Sequence, residues 1–180
     1  TQNSEQALVN FKKVANDFPK SSFAVKARLK SGLIYYNSNL NDLAIKAFKG
    51  VIEEYPGSQE SREALASLRN IYVDLGKVDD YYAYTNKLDF INITVSEQDS
   101  VTYIAAENQY MNEEYDNARI SLQKYVDNFP EGAYLLSANY FLAECLVKND
   151  EFENALKSYE YVVAQAASEY SESSLLKAAD

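Results

Sequence analysis

Proline constrains this chain more than any other residue, because there are three of them and they share one phase. Pro19, Pro56 and Pro130 are separated by 37 and by twice 37 residues. Around each runs a near copy of one segment: ALVNFKKVANDFP at 7–19, AIKAFKGVIEEYP at 44–56 and ARISLQKYVDNFP at 118–130. A fourth copy, ALKSYEYVVAQAA, starts at Ala155 and lacks the proline. Ala7, Ala44, Ala118 and Ala155 keep phase, and four positions after them stand Phe11, Phe48, Leu122 and Tyr159. A fixed period of this length is the mark of a stacked-repeat architecture.

Within each copy the apolar residues recur at helical spacing, as in Ala44, Ile45, Phe48, Val51 and Ile52. Proline inside a helix costs about 3 kcal/mol, so a recurrent proline marks the place where a helix has ended. A second amphipathic stretch follows each time, as in SSFAVKARLKSGLIYY, SQESREALASLRNIYV and GAYLLSANYFLAECLV. Serine or glycine near their starts suits helix N-caps, and short polar linkers such as NSNLND and VKNDEF lead back to the next copy. The unit is a helical hairpin. One hairpin cannot bury both of its apolar faces, so neighbours must stack into a continuous core. Gly32, Ala106 and Ala143 on the first helices and the phased alanines on the second let two backbones approach closely.

Composition removes several function classes. With 17 basic and 27 acidic residues the net charge is −10, and no basic tract offsets the repulsion from nucleic acid or anionic membranes. No apolar run reaches the roughly 20 residues of a membrane helix, so direct membrane insertion is not expected. Histidine is absent, which removes the commonest catalytic base and metal ligand. The single cysteine, Cys145, lies in the apolar run YFLAECLV and reads as a buried, inert thiol. The adjacent acids Glu53–Glu54 and Glu113–Glu114 point about 100° apart on a helix and do not converge on one substrate atom. No phosphate-binding glycine loop, metal spacing or serine–base pair is present. The expectation is a non-enzyme with no cofactor and no metal.

The repeat resembles the tetratricopeptide repeat (TPR) family. The unit that carries the family pattern best does so through Gly32, Tyr35, Ala44, Phe48 and Pro56, whereas the family tryptophan is missing throughout. The resemblance implies an all-α fold, a right-handed TPR-like superhelix (α-solenoid) of antiparallel helix hairpins with about nine helices. Two departures stand out. The period is 37 rather than 34, with the extra three residues between the proline and the next small position. Such long units, with phrasing like FPKSSFAVKARLKSG, look like those of bacterial cell-envelope TPR proteins, of the Tol–Pal-associated and outer-membrane assembly type. That likeness implies a scaffold in the periplasm or cell envelope, with the cytoplasm left open. The second departure is the unit 62–98, where Arg69 and Tyr81 replace small residues and Ile93 replaces the proline. Large side chains in a tight helix contact predict splayed or repacked helices there, or a bend with an exposed patch of Tyr81, Tyr82 and Tyr84.

In TPR arrays the first helices line a concave groove. Carried over by phase, the groove positions are Leu33, Tyr36 and Asn37; Asn70 and Asp74; Tyr103, Glu107 and Tyr110; and Tyr140, Glu144 and Lys148. Tyrosines offer large contact area at low entropic cost. The family's basic clamp for C-terminal carboxylates is not supported, because these positions are mainly aromatic and acidic. The reading is therefore a protein- or peptide-binding scaffold whose groove favours extended peptides with apolar and basic side chains. The alternative is a structural spacer or oligomerisation module in a larger cell-envelope protein, with no ligand of its own. The units expected are 1–24 (partial), 25–61, 62–98 (divergent), 99–135, 136–172 and 173–180 (partial). With half-units at both ends and no capping element, the array reads as a fragment of a longer one, with self-association through its end faces a natural consequence.

Overall fold

The computed structural model describes residues 2–165 and 170–179. Among these residues the chain is all-α, with the helices α1 (Gln2–Asp17), α2 (Ser22–Asn37), α3 (Asn41–Glu54), α4 (Gln59–Asp74), α5 (Val78–Thr85), α6 (Val95–Met111), α7 (Tyr115–Asn128), α8 (Leu135–Lys148), α9 (Phe152–Ala164) and α10 (Ser171–Ala179). The fold class is a TPR-like α-solenoid. Among the described residues there are ten helices where about nine were expected, the last being Ser171–Ala179. Ala167, in phase with the prolines, lies outside the described residues. The chain divides into two compact units, Thr1–Tyr72 with Ala83–Asn92, and Val73–Tyr82 with Ile93–Asp180. All three division points fall inside the divergent repeat.

Each hairpin turn is built the same way. Asn39, Gly76, Glu113 and Asp150 all adopt a left-handed backbone, at φ of 57°, 64°, 63° and 58°. They are 37 residues apart, so α2, α4, α6 and α8 are each followed by one left-handed residue. In three of the turns the next N–H reaches back five residues: Leu40 to Tyr35 O, Glu114 to Gln109 O and Glu151 to Leu146 O, each at 2.9 Å. This is the Schellman arrangement, which satisfies carbonyls that a helix end otherwise leaves unpaired. The phased alanines then open the second helix, with Ala44, Ala118 and Ala155 N–H donating to Leu40, Glu114 and Glu151 O. At the proline turns, Ser21 caps α2 by accepting from Ala24 N–H at 3.2 Å. Tyr55 Oη donates to Pro19 O at 3.2 Å, which makes Tyr55 a packing residue at a repeat joint.

Helix pairs α1–α2 and α2–α3 pack in the first unit, and α6–α7, α7–α8, α8–α9 and α9–α10 in the second. The first core rests on Gly32 against Phe48: a Cβ at Gly32 would stand 2.6 Å from the Phe48 ring, so only glycine fits. In the second, Ala106, Ala118, Leu122, Tyr125, Ala143, Cys145 and Tyr159 form one buried cluster. A buried carboxylate ties down its proline turn. Asp99, 9% exposed, accepts from the Tyr125 hydroxyl and from Ala133 N–H at 2.8 Å, and Tyr134 N–H donates to Tyr125 Oη at 3.0 Å.

In the divergent repeat, α5 has 8 residues against 14 in α3 and α7. Tyr81 is large where the phase has alanine, and Thr85 is small where it has Phe48 or Leu122; both are buried. Side-chain volume has moved one turn along the helix, and this exchange offsets the overpacking expected at 81. The expected exposed tyrosine patch does not form. Tyr81 is buried, and Tyr82 Oη donates to Gln98 O at 3.1 Å beside Thr102 Oγ1. Tyr84 Oη donates to Glu53 at 3.3 Å, with Lys49 Nζ 4.5 Å from its ring centre. A new start signal replaces the missing proline: Thr94 and Glu97 form a reciprocal capping box that opens α6.

Candidate functional site

The groove positions divide between the two units. In the first, Leu33 and Asn37 on α2 and Asn70 on α4 are exposed, and Tyr36 is half-buried. In the second, Asp74 and Lys148 are exposed, whereas Glu107, Tyr110, Tyr140 and Glu144 are half-buried. Tyr103 differs from the rest. At 3% exposed it lies in the core, stacked on Tyr134 with ring centres 4.5 Å apart and edge-on to Tyr125 at 5.6 Å. Its hydroxyl donates to Glu107 at 2.7 Å. The turn that Asp99 holds in place brings Tyr134 over Tyr103, and the spacing within α6 does not reveal this.

The remaining positions on α6 and α8 are connected. Tyr110 packs on Phe141, with ring centres 4.6 Å apart, and edge-on to Tyr115 at 5.6 Å. Phe141 also touches Tyr140, and Tyr140 stacks on Tyr170 at 4.7 Å. Tyr140 Oη lies 3.3 Å from Ser173 Oγ. Glu144 accepts from the Tyr159 hydroxyl and pairs with Lys177, whose Nζ is 5.7 Å from the Tyr140 ring centre. Lys148 Nζ stands 5.0 Å from the centre of Tyr115. Tyr159, Tyr170, Ser173 and Lys177 thus belong to this face without having been assigned to it. For Lys177 the signal was available, since it lies one period after Tyr140 and two after Tyr103.

The electrostatics keep the phenols protonated. Burial, followed by the nearby Glu144 carboxylate, pushes Tyr110 up to about 12. Burial and a hydrogen-bonded glutamate raise Tyr103 and Tyr159 as well. At neutral pH each is a neutral donor on an aromatic plate beside carboxylates, which suits contact rather than proton transfer. Burial, then Glu144, pushes the Cys145 thiol up to about 12, far from a reactive thiolate. Among the described residues no group of three His, Cys, Asp or Glu side chains is placed to hold a metal ion. Among them, too, no helix is long and apolar enough to cross a membrane.

A family model described as tetratricopeptide repeat matches residues 26–58 and 101–132. These two stretches are similar to tetratricopeptide repeats. Each matched stretch runs from a first helix through its left-handed turn to a proline turn, one in each compact unit. Among solved structures, MamA 41-end from Desulfovibrio magneticus RS-1 is similar at 16% identity, covering 89% of this chain and 84% of that one, with a TM-score of 0.44. Bacillus thuringiensis PlcR in its apo form matches at 18% identity over 98% of this chain and 72% of that one, with a TM-score of 0.42. No curated protein sequence matches this chain.

Proposed function

We propose that the protein is a non-catalytic scaffold that binds a protein or peptide segment through the face made by its first helices, with α6 and α8 as the principal surface. One observation carries this reading. On a repeat array, Tyr110 and Tyr140 stand half-buried on either side of Phe141, with Glu107 and Glu144 beside them. Half-buried tyrosines give anchoring area at low entropic cost, and the carboxylates favour a segment with apolar and basic side chains. The test is selection of displayed peptides on the intact chain, followed by calorimetry on a Tyr110→Ala/Tyr140→Ala variant. A loss of about tenfold or more in affinity is expected. Binders that keep full affinity for this variant, and for Glu107→Gln/Glu144→Gln, would remove the reading. Tyr103 is left intact because truncating a core ring would confuse binding with unfolding.

A second reading is a structural spacer or oligomerisation module without a ligand of its own. Its support is that these side chains already have partners within the chain: Tyr140 meets Ser173, and Glu144 pairs with Tyr159 and Lys177. A selection that returns no binder above background favours it. The long-repeat likeness extends either reading to a bacterial envelope setting, which fractionation of the source cells tests.

A further inference from the structure

On the first unit, the side opposite the groove holds a cleft of about 470 Å³, walled by α1 and α3 with α2 as its floor. Its apolar surface comes from Ala15, Tyr35, Leu43 and Ala47, and Gly50 leaves its upper wall open, since a Cβ there would meet nothing within 4 Å. Leu43 is 47% exposed. Along α3 the lining positions 43, 47, 50 and 54 recur at helical spacing over about three turns. Small residues at 15, 47 and 50 give the cleft room for a backbone rather than for single side chains. Its rim is basic in a protein of net charge −10. Lys12 and Lys46 line it, both exposed and in no ion pair among the described residues, and Arg28 lies at its base against Glu54.

The second unit contains the same cleft three periods further along. There α7, α8 and α9 enclose about 430 Å³. Arg28, Tyr35, Leu43, Ala47 and Gly50 are replaced by Asn139, Leu146, Asn154, Ser158 and Tyr161. The volume is retained, but the lining is mixed, with Val126, Leu142 and Leu146 beside polar side chains; a tyrosine stands where the glycine was, and Arg119 is paired with Glu151 at 3.3 Å. The cleft itself is therefore a property of the repeat. Lys46 has its counterpart in Lys157, but Lys12 is replaced by Gln123, so among the described residues of the two clefts the first alone combines a mainly apolar lining with a pair of lysines outside any ion pair.

We propose that the first cleft is a second docking site, which takes an acidic amphipathic helix of a partner protein. The apolar stripe of that helix lies along α3 over Ala47 and Gly50, and its carboxylates meet Lys12 and Lys46. The site is independent of the tyrosine face.

The experiment uses two fluorescein-labelled helical peptides of about 14 residues. One is built of Glu and Ala with Leu at i, i+4 and i+7; the other has Lys in place of Glu. Fluorescence anisotropy on the intact chain should show the acidic probe saturating in the range of about 10–100 µM, and the basic probe at least about tenfold weaker. Gly50→Tyr, which copies the second cleft, should weaken the acidic probe about tenfold or more, and Lys12→Glu/Lys46→Glu should do the same while narrowing the preference between probes. Lys157→Glu, in the second cleft, and Tyr110→Ala/Tyr140→Ala should leave binding unchanged, which separates this site from the scaffold face. Circular dichroism establishes that each variant is folded. No saturation of the acidic probe, equal binding of both probes, or indifference to both first-cleft variants overturns the proposal.

Discussion

The two matched repeats, 26–58 and 101–132, share their turns and fill their interiors differently. In the first, Gly32 faces Phe48 with no room for another carbon. In the second, the corresponding residues are Ala106 and Leu122, both fully buried, and one period later they are Ala143 and Tyr159. The outer clefts diverge as well, mainly apolar and basic-rimmed in the first unit and more polar in the second. Backbone geometry is held by the turns, and the space between helices admits more than one division of side-chain volume. Lining residues that no turn depends on are free to diverge, which is how one repeat can offer two surface chemistries.

Alkaline pH should break this comparison most visibly. Among the described residues, the second unit holds five tyrosines raised by burial first and also by nearby carboxylates: Tyr82, Tyr103, Tyr110, Tyr125 and Tyr159; the first holds Tyr84. Each is raised in the folded state above the ordinary value of 10.0. Above that pH the unfolded chain loses phenolic protons that the folded chain keeps, so stability falls as pH rises. The contribution is intact below 10 and declines toward the folded value, which for Tyr110 is about 12. Tyrosinate absorbance should therefore show a group that resists titration until a cooperative unfolding step, with amide exchange rising in residues 99–164 before 24–54. Smooth titration of every tyrosine near 10 would show that the second unit's rings are not held as described.

Volume complementarity predicts the next largest effect. Gly32→Ala places a carbon 2.6 Å from the Phe48 ring and should cost about 1–3 kcal/mol in chemical denaturation. Adding Phe48→Leu recreates the Ala106–Leu122 pairing and should recover much of that loss, so the two changes couple rather than add. Ala106→Gly, the reverse exchange, should cost about 1 kcal/mol through helix propensity and lost packing. Additive effects in the first unit would mean that Phe48 moves aside freely and that the glycine is incidental.

Sequence made the repeat legible because breakers and small residues are irreplaceable where they occur: a proline outside the helix, an alanine where helices touch. The candidate face was only partly legible. Tyr110, Tyr140 and Glu144 could be placed by phase, and Lys177 would have followed from the same arithmetic. Tyr103 could not, because its burial depends on Tyr134, brought over it by a turn that Asp99 clasps from the start of α6. The divergent repeat hid its adjustment similarly. Tyr81 looked oversized by itself, and its counterpart Thr85 looked like an ordinary polar residue.

The least legible feature gives the last test. The left-handed turn position is occupied by Asn39, Gly76, Glu113 and Asp150, four residue types with no shared signature. What recurs is the backbone angle, and the residues differ in how well they bear it. A left-handed backbone costs about 1–2 kcal/mol for an ordinary side chain, less for Asn or Asp and nothing for Gly. Gly76→Ala should thus cost at least about 1–2 kcal/mol, since its new carbon also meets the Gln109 side chain, whose Cδ would be 3.1 Å away. Glu113→Gly should go the other way. The residue is exposed and its turn is closed by backbone hydrogen bonds that glycine keeps. Relief of strain, less the entropy of a freer unfolded chain, leaves a gain of about 0.5–1 kcal/mol. Asp150→Gly should gain less and Asn39→Gly almost nothing, an order set by side chain and not by position. If all three gave the same change, the turns would differ in backbone strain rather than in the residues that carry it.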